Sequence, residues 1–439
     1  MKEQRQSWSD LYKLEDWWAI WFGSILMALV SIGIIGNDSL LGKIPKLGKW
    51  TSNPIDAFPA DLIIPLIGLG LGLMILMTIG VYFMKIDWKR FMKGFLVVFL
   101  IACLSFLLAS QTTMKSNGIG YAIWALLLGL LISNTIGTPQ WLLNSAKSEM
   151  YIKTGLVLLG AEILFSKILK LGGPGLVVAW MVTPTVIIFM WYFGTRWLKI
   201  NSKPLVIIIA AATSVCGVSA AIATAAASRA KKEELTLAVG MTMIFTVLMM
   251  IAMPALAKYM GIPPEVGGAW LGGTIDSTGA VVASGALLGE NAEKVAAVVK
   301  MVQNVLIGFV AFVVAILWVT KVDRDPDAPK PNFMEIWYRF PKFILGFVLA
   351  SVVFSFILMP LLGSEQVSSI LNQTKVFRGW FFCLAFVSIG LESNFKDLAS
   401  QMVGGKPIFL YIVGQSFNII LTLFAAWLAF GGILFDKVF

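Results

Sequence analysis

The chain has 439 residues, 58% of them hydrophobic and only 13% charged, with a mean hydropathy of +0.84. Soluble domains carry roughly 25% charged residues, so a soluble enzyme, a disordered protein and a nucleic-acid binder are all poor fits. The net charge of +10, from 34 Lys and Arg against 24 Asp and Glu, reads as loop charge on a membrane protein. There is no histidine, which removes imidazole bases, Ser-His-Asp triads and His-ligated metals together. Cys103, Cys216 and Cys383 all sit in apolar runs and offer no disulfide framework.

A membrane-spanning helix needs about 20 mostly apolar residues. Thirteen runs qualify: 17–36, 62–84, 94–112, 118–136, 150–168, 174–194, 204–229, 235–257, 266–289, 295–320, 342–362, 377–394 and 407–430. The first lacks a small-residue cleavage site and opens on Asp16-Trp17-Trp18, so it reads as a span rather than a signal peptide. The stretch Asp323–Pro331 is too charged and proline-rich for a membrane helix and reads as an exposed linker. The expected class is an all-α polytopic membrane protein with about 11–13 transmembrane helices. Its expected parts are N-terminal spans 1–112, a repeat and core 113–320, a linker 321–341 and closing spans 342–439. Lys and Arg lean toward the side holding the N-terminus, which predicts a cytoplasmic N-terminus. The basic loop Arg229–Glu234 falls on the other side of that count.

Gly160-Ala161-Glu162 and Gly390-Leu391-Glu392 lie 230 residues apart, each followed by a Gly-Gly pair and a proline. They fall in the fifth and twelfth runs. An odd separation makes them antiparallel, the mark of inverted-topology repeats.

Two runs differ from their leucine-rich neighbours. One carries Thr213, Ser214, Cys216, Gly217 and Ser219 among alanines; the other carries Gly273, Thr274, Asp276, Ser277, Thr278 and Gly279. Tight helix packing accounts for small residues. The density of hydroxyls, and a carboxylate in the second run, instead predicts broken helices, because hydroxyls satisfy backbone groups freed by a break. Half-helix N-termini then present free N–H groups and positive dipole ends to a small anion. Lys300, Gln303 and Asn304 share one helical face in the next run and add a polar wall. Ionisable residues inside spans are functional candidates, here Glu162, Asp276, Lys300 and Glu392. Gln415 and Asn418 in the last run are expected to bond a neighbouring helix.

The Ser214-x-Cys216-Gly217 and Gly273-Thr274-Ile275 stretches, Lys300-Met301 and the Gly160/Gly390 repeats together resemble a bacterial inner-membrane family of sulfate exporters. The resemblance covers roughly 118–430. It implies kinship with cation/proton antiporters and bile-acid symporters: inverted repeats, two discontinuous crossing helices and elevator-type movement of a core. It also implies a bacterial inner-membrane location. The chain has Asp276-Ser277 where such members have a histidine followed by an acid, and Gln303 where they have an arginine. A proton-coupling role would therefore fall to a carboxylate such as Asp276.

These features predict a secondary transporter exporting a small anion such as sulfate, sulfite or a sulfonate. The expected substrate set is Thr213, Ser214, Cys216, Gly217, Ser219, Thr274, Ser277, Thr278, Gly279, Lys300, Gln303 and Asn304, with Asp276, Glu162 and Glu392 for ion coupling. The alternative is a sodium- or proton-coupled carrier of a cation or another small solute. No cofactor is expected beyond a coupling H+ or Na+; the expected partners are the anion and the lipid bilayer, with room for a homodimer and none for nucleic acid. No Gly-x4-Gly-Lys-Ser/Thr loop is present to use ATP. Cys216 without a nearby base makes a poor enzyme nucleophile. By count the seventh and ninth runs are parallel, so either a segment within 204–289 is re-entrant or the repeat does not pair them.

Overall fold

A computed structural model describes residues 9–36, 43–116, 120–163, 165–322, 333–396 and 405–436. The expected linker at Asp323–Pro331 lies outside the described residues. Those described are mostly helical; the exceptions are turns, an irregular stretch at 43–53 and one isolated β-bridge between Trp50 and Gln111. In chain order the principal helices are α1 (Glu15–Ile35), α2 (Ala60–Phe83), α3 (Trp88–Ser110), α4 (Tyr121–Thr135), α5 (Ser148–Glu162) and α6 (Phe165–Trp197). Then follow α7 (Lys203–Ala211), α8 (Gly217–Ala227), α9 (Lys232–Tyr259), α10 (Pro264–Thr274), α11 (Thr278–Leu288) and α12 (Glu290–Thr320). The last are α13 (Phe343–Glu392) and α14 (Lys406–Phe430).

All thirteen apolar runs fall on helix. Nine helical stretches among the described residues are long and apolar enough to cross a membrane, counting α7 with α8 as one. The difference from thirteen has local causes. The eleventh and twelfth runs are two helices that count as one stretch because they are joined directly at Gly363, whose non-helical φ 80° and ψ 166° glycine reaches without a Cβ clash. The fifth run ends at Glu162, and at 1.5 Å per residue the 15-residue α5 falls short of a bilayer core of about 30 Å. The fourth run gives only the 15-residue α4, also too short, and the ninth is broken into two short arms; the seventh is interrupted too but still counts as one of the nine.

The helices cluster into two units. The first holds residues 1–166 and 342–394; the second holds 167–341 and 395–439. The units do not change at the sequential boundaries 112 and 320, whereas 341 is where the chain passes from the second unit back to the first.

In the first unit α5 is buried along almost its whole length. Its Tyr151 ring meets Phe95, near Phe91, and Phe382 and Phe386 are buried in the same unit, with Phe99 stacked on Trp380 at 5.2 Å between ring centres. Isoleucines 63, 64, 67, 75 and 79 of α2 face outward, an apolar stripe suited to lipid. Two ionic links lie inside. Arg378 Nε donates to Glu162 Oε1 at 2.8 Å with both side chains buried, and Lys153 pairs with Glu15 at 3.0 Å and Asp16 at 3.1 Å.

Lys342 caps the start of α13, its backbone N–H donating to Asp16 at 2.8 Å. Burial pushes its amine from the ordinary 10.5 down to about 8, against the opposing pull of Asp16 and Asp10. A folded value below the unfolded one means that the folded chain holds fewer protons between those two pH values. Stability therefore rises with pH across that window. In detergent the unfolding midpoint should climb between pH ~8 and ~10, and Lys342→Met should be more stable near neutrality and lack that climb. Parallel pH profiles for the two proteins would show that burying this amine carries no cost.

Candidate functional site

The site lies in the second unit, where two interrupted segments meet the middle of α12. In the first segment, α7 passes into a π-helical turn, Ala212–Cys216. Thr213 Oγ1 and Ser214 Oγ turn back to the carbonyls of Ile209 (2.8 Å) and Ala210 (2.6 Å). Short hydroxyl side chains offer the backbone this alternative, which loosens the helix where it must end. Cys216 is then extended (φ −154°, ψ 90°) and α8 starts at Gly217. A side chain at Gly217 would sit 2.6 Å from Thr242 Cγ2, so only glycine fits against α9. In the second segment α10 ends at Thr274, Ile275 is extended (φ −74°, ψ 133°), and α11 begins behind Ser277, whose hydroxyl accepts from Ala280 N–H at 3.5 Å.

Neither segment is a crossing helix. Each folds back on itself. Ala211 of α7 and Ala220 and Ala223 of α8 share one cluster with Leu306, Ile307 and Ala311. Farther from the break, Ile207 and Ala227 share another with Val314 and Trp318. The arms α7 and α8 therefore run side by side along the second half of α12. A side chain at Gly267 of α10 would press on Leu288 of α11, so this pair is also a hairpin. It lies along the first half of α12: Gly268 abuts Ala292, Gly272 abuts Ala296, and Gly285 abuts Glu293. The expected discontinuous crossing helices are corrected to two helical hairpins, approaching from opposite ends of α12. Their tips meet at Lys300–Asn304.

At the tips each hairpin frees three consecutive carbonyls, and side chains take all six. Lys300 Nζ donates to Val215 O (2.6 Å), Ile275 O (2.8 Å) and Gln303 Oε1 (2.8 Å), using its three N–H groups. Gln303 Nε2 donates to Ser214 O (2.9 Å) and Gly273 O (3.0 Å). Asn418 Nδ2 reaches Thr213 O (3.2 Å) and Gln415 Nε2 reaches Thr274 O (3.0 Å). Thr183 adds a bond to Ser214 O at 3.0 Å. Asn304 Nδ2 donates to Thr278 Oγ1 (3.0 Å), with Cys216 Sγ 4.0 Å from the same hydroxyl. Tyr411 O–H donates to Asp276 Oδ2.

The carbonyl ends of α7 and α10 are thus closed by protein donors, whereas Cys216, at the N-cap position of α8, makes no side-chain capping bond. Cys216 and Ser277 are half-buried there and Ser219 is exposed. Of the expected set, the structure brings together Thr213, Ser214, Cys216, Gly217, Thr274, Asp276, Thr278, Lys300, Gln303 and Asn304. Ser219 lies in the first turn of α8, Ser277 caps α11, and Gly279 is buried in the first turn of α11. Glu162 and Glu392 are not in this cluster; both belong to the first unit, where Glu392 accepts from Ser148 Oγ at 2.7 Å. Sequence reasoning missed Thr183 and Tyr411. It placed Gln415 and Asn418 on a neighbouring helix, and the groups they bond are the hairpin tips.

A family model described as Conserved hypothetical protein 698 matches residues 93–411. A UPF0324 membrane protein of Rhodopirellula baltica is 53% identical over 90% of this chain and 73% of its own length. The chain belongs to this family. A UPF0324 membrane protein of Nitratidesulfovibrio vulgaris is 52% identical over 84% of this chain, which spans 64% of that relative's length. A UPF0324 membrane protein of Nitrosomonas europaea is 30% identical over 94% of this chain and 95% of itself. No solved structure matches the chain. The membrane-protein relatives and the nine long apolar helices together make this UPF0324 chain a multi-pass membrane protein.

Proposed function

We propose that this UPF0324 protein is a secondary transporter of a small oxyanion such as sulfate, sulfite or a sulfonate. The anion would sit at the start of α8, between the hairpin tips. One observation carries this reading: the negative ends of the broken helices are closed by Lys300 and three amides, while the positive end of α8 takes no capping bond from its N-cap side chain. Uncapped N–H groups at a helix start, with the hydroxyls of Ser219 and Ser277 beside them, can replace an anion's hydration shell. Lys300, with every N–H engaged, would act on the anion through its charge. The resemblance to sulfate exporters supplies the substrate class and export as the direction.

The Gly160 and Gly390 stretches, read as inverted repeats, are in keeping with a carrier. Gly160 abuts the Phe347 carbonyl, and Ser351, four residues on, donates to Ile163 O. Gly390 abuts Gly129, and Ser133, again four residues on, donates to Ser393 O at 3.0 Å. Hairpins that enter and leave on one side would also place the Arg229–Glu234 loop on the basic, N-terminal side. They would set the two tips facing each other across α9. Alternating access would then follow from elevator-type movement of the unit that carries the tips.

The test is a thermal-shift screen of purified protein against sulfate, sulfite, thiosulfate, methanesulfonate and carboxylates, followed by counterflow of the labelled hit in proteoliposomes. Saturable stabilisation and counterflow by one oxyanion class are expected. Stabilisation by none of them, with no counterflow, would remove the anion reading.

A further inference from the structure

Seven buried side-chain polar atoms among the described residues lack a hydrogen-bond partner, and four of them gather on one side of the tips: Asp276 Oδ1, Thr274 Oγ1, Gln415 Oε1 and Thr246 Oγ1. Their residues are only 1%, 1%, 5% and 7% exposed. Packing holds them in one neighbourhood. Tyr411 and Gln415, one turn apart on α14, grip Asp276 and the Thr274 carbonyl respectively. The α9 face carrying Thr246 presents Phe245, stacked on the Tyr411 ring at 4.5 Å, and Met249, whose sulfur lies 2.9 Å from Gln415 Nε2. The bond to Thr274 O fixes which way the Gln415 amide points. Its oxygen is left over.

Four oxygens kept from water without partners are costly, and an unsatisfied buried group calls for a bound species. The geometry points to a sodium site formed by Asp276, Thr274, Gln415 and Thr246. A proton on Asp276 adds one O–H, and the two threonine hydroxyls could donate as well, yet none of the four oxygens bonds another here. A cation serves all four, as hard cations take oxygen ligands. One carboxylate among three neutral oxygens favours a monovalent over a divalent ion; with the Lys300 ammonium beside it the loaded site keeps one positive charge, which a bound anion would offset. Lys300 does not substitute for the ion, because its three N–H groups are spent on Val215, Ile275 and Gln303.

The site also gives the transport reading, on which its role rests, a coupling device. Asp276 lies against Gly217, the first residue of α8, so a bare carboxylate repels any anion placed there. Sodium on Asp276 cancels that repulsion, so each ion favours binding of the other. Sodium and anion then move together, and the summed gradients set the direction; an inward sodium gradient would drive uptake rather than export.

The experiment is the melting temperature of the full-length protein in detergent, titrated with sodium chloride against potassium and choline chloride at equal ionic strength, with no anionic substrate added. Binding of 22Na to the same protein is measured in parallel. A saturable rise specific to sodium is expected. Asp276→Asn should weaken sodium affinity by at least about tenfold, and Gln415→Ala should do so as well. Thr246→Val, a near-isosteric change away from the backbone breaks, keeps the test open if the other variants fold poorly. Equal melting curves in the three salts with no bound 22Na would overturn the proposal, whether the orphaned atoms hold only water or Asp276 carries a proton. Counterflow separates the two readings. Oxyanion exchange indifferent to sodium would sink this inference and spare the anion reading, whereas sodium binding with no oxyanion response would do the reverse.

Discussion

Replacing Lys300 with methionine will unfasten the two hairpin tips. The side chain is 1% exposed and its ammonium is the only group bonded to both Val215 O and Ile275 O among the bonds described above. Methionine fills nearly the same volume but donates nothing, so two carbonyls and Gln303 Oε1 are left in a dry interior. Each orphaned acceptor costs about 1–3 kcal/mol, a large share of the roughly 5–15 kcal/mol that holds a typical domain together. The expected result is a much lower melting temperature together with lost anion binding. Lys300→Arg will not rescue it, because a longer, planar guanidinium cannot enter a fully packed site in the ammonium's place. A methionine variant as stable as the wild type would mean that this lysine does not join the tips. From the sequence alone Lys300 reads as an anion ligand; the three bonds tie its binding and structural roles together.

Arg378→Met should be nearly as damaging, in the other unit. It strands the Glu162 carboxylate, 6% exposed at the side chain, without the guanidinium 2.8 Å away. Removing one partner of a buried ion pair typically costs about 3–5 kcal/mol, whereas replacing both is often close to neutral. Arg378→Met should therefore express poorly and melt early, and the double variant Glu162→Gln/Arg378→Met should recover most of the loss. Counterflow then decides the role of Glu162. A double variant that folds and exchanges anion makes the pair structural; one that folds but exchanges nothing restores Glu162 to ion coupling.

Much of this was legible in the sequence. Every apolar run is helix, because a bilayer core leaves a backbone few other ways to satisfy its own N–H and C=O groups. The two breaks were legible from Thr213, Ser214, Gly217, Thr274 and Asp276, since a chain end buried in a membrane needs small residues for close approach and hydroxyls for its freed carbonyls. The reversal at each break was not decided there: the parallel count of runs seven and nine left a re-entrant segment within 204–289 as one of two readings. Arms such as α10 and α11 carry the same small apolar pattern whether the chain continues or turns back, and Gly267 against Leu288 is a tertiary fact. Distance in sequence hid the rest. Arg378 meets a carboxylate 216 positions away, and Tyr411 reaches Asp276 across 135, with no local spacing to reveal either. Gln415 and Asn418 look like ordinary interhelical glue until their acceptors prove to be the freed carbonyls of Thr274 and Thr213.

The most direct measurement is the rate at which Cys216 reacts with a small thiol reagent in the presence of oxyanions. Cys216 immediately precedes α8 and is half-buried; Cys383 is buried, and Cys103, also half-buried, can be removed as Cys103→Ser. In that background sulfate, sulfite or methanesulfonate should slow the modification of Cys216 saturably, with half-protection at the concentration that gives half-maximal thermal stabilisation. Modification at one unchanging rate, under concentrations of an anion that the protein demonstrably binds, would place that anion somewhere other than the start of α8.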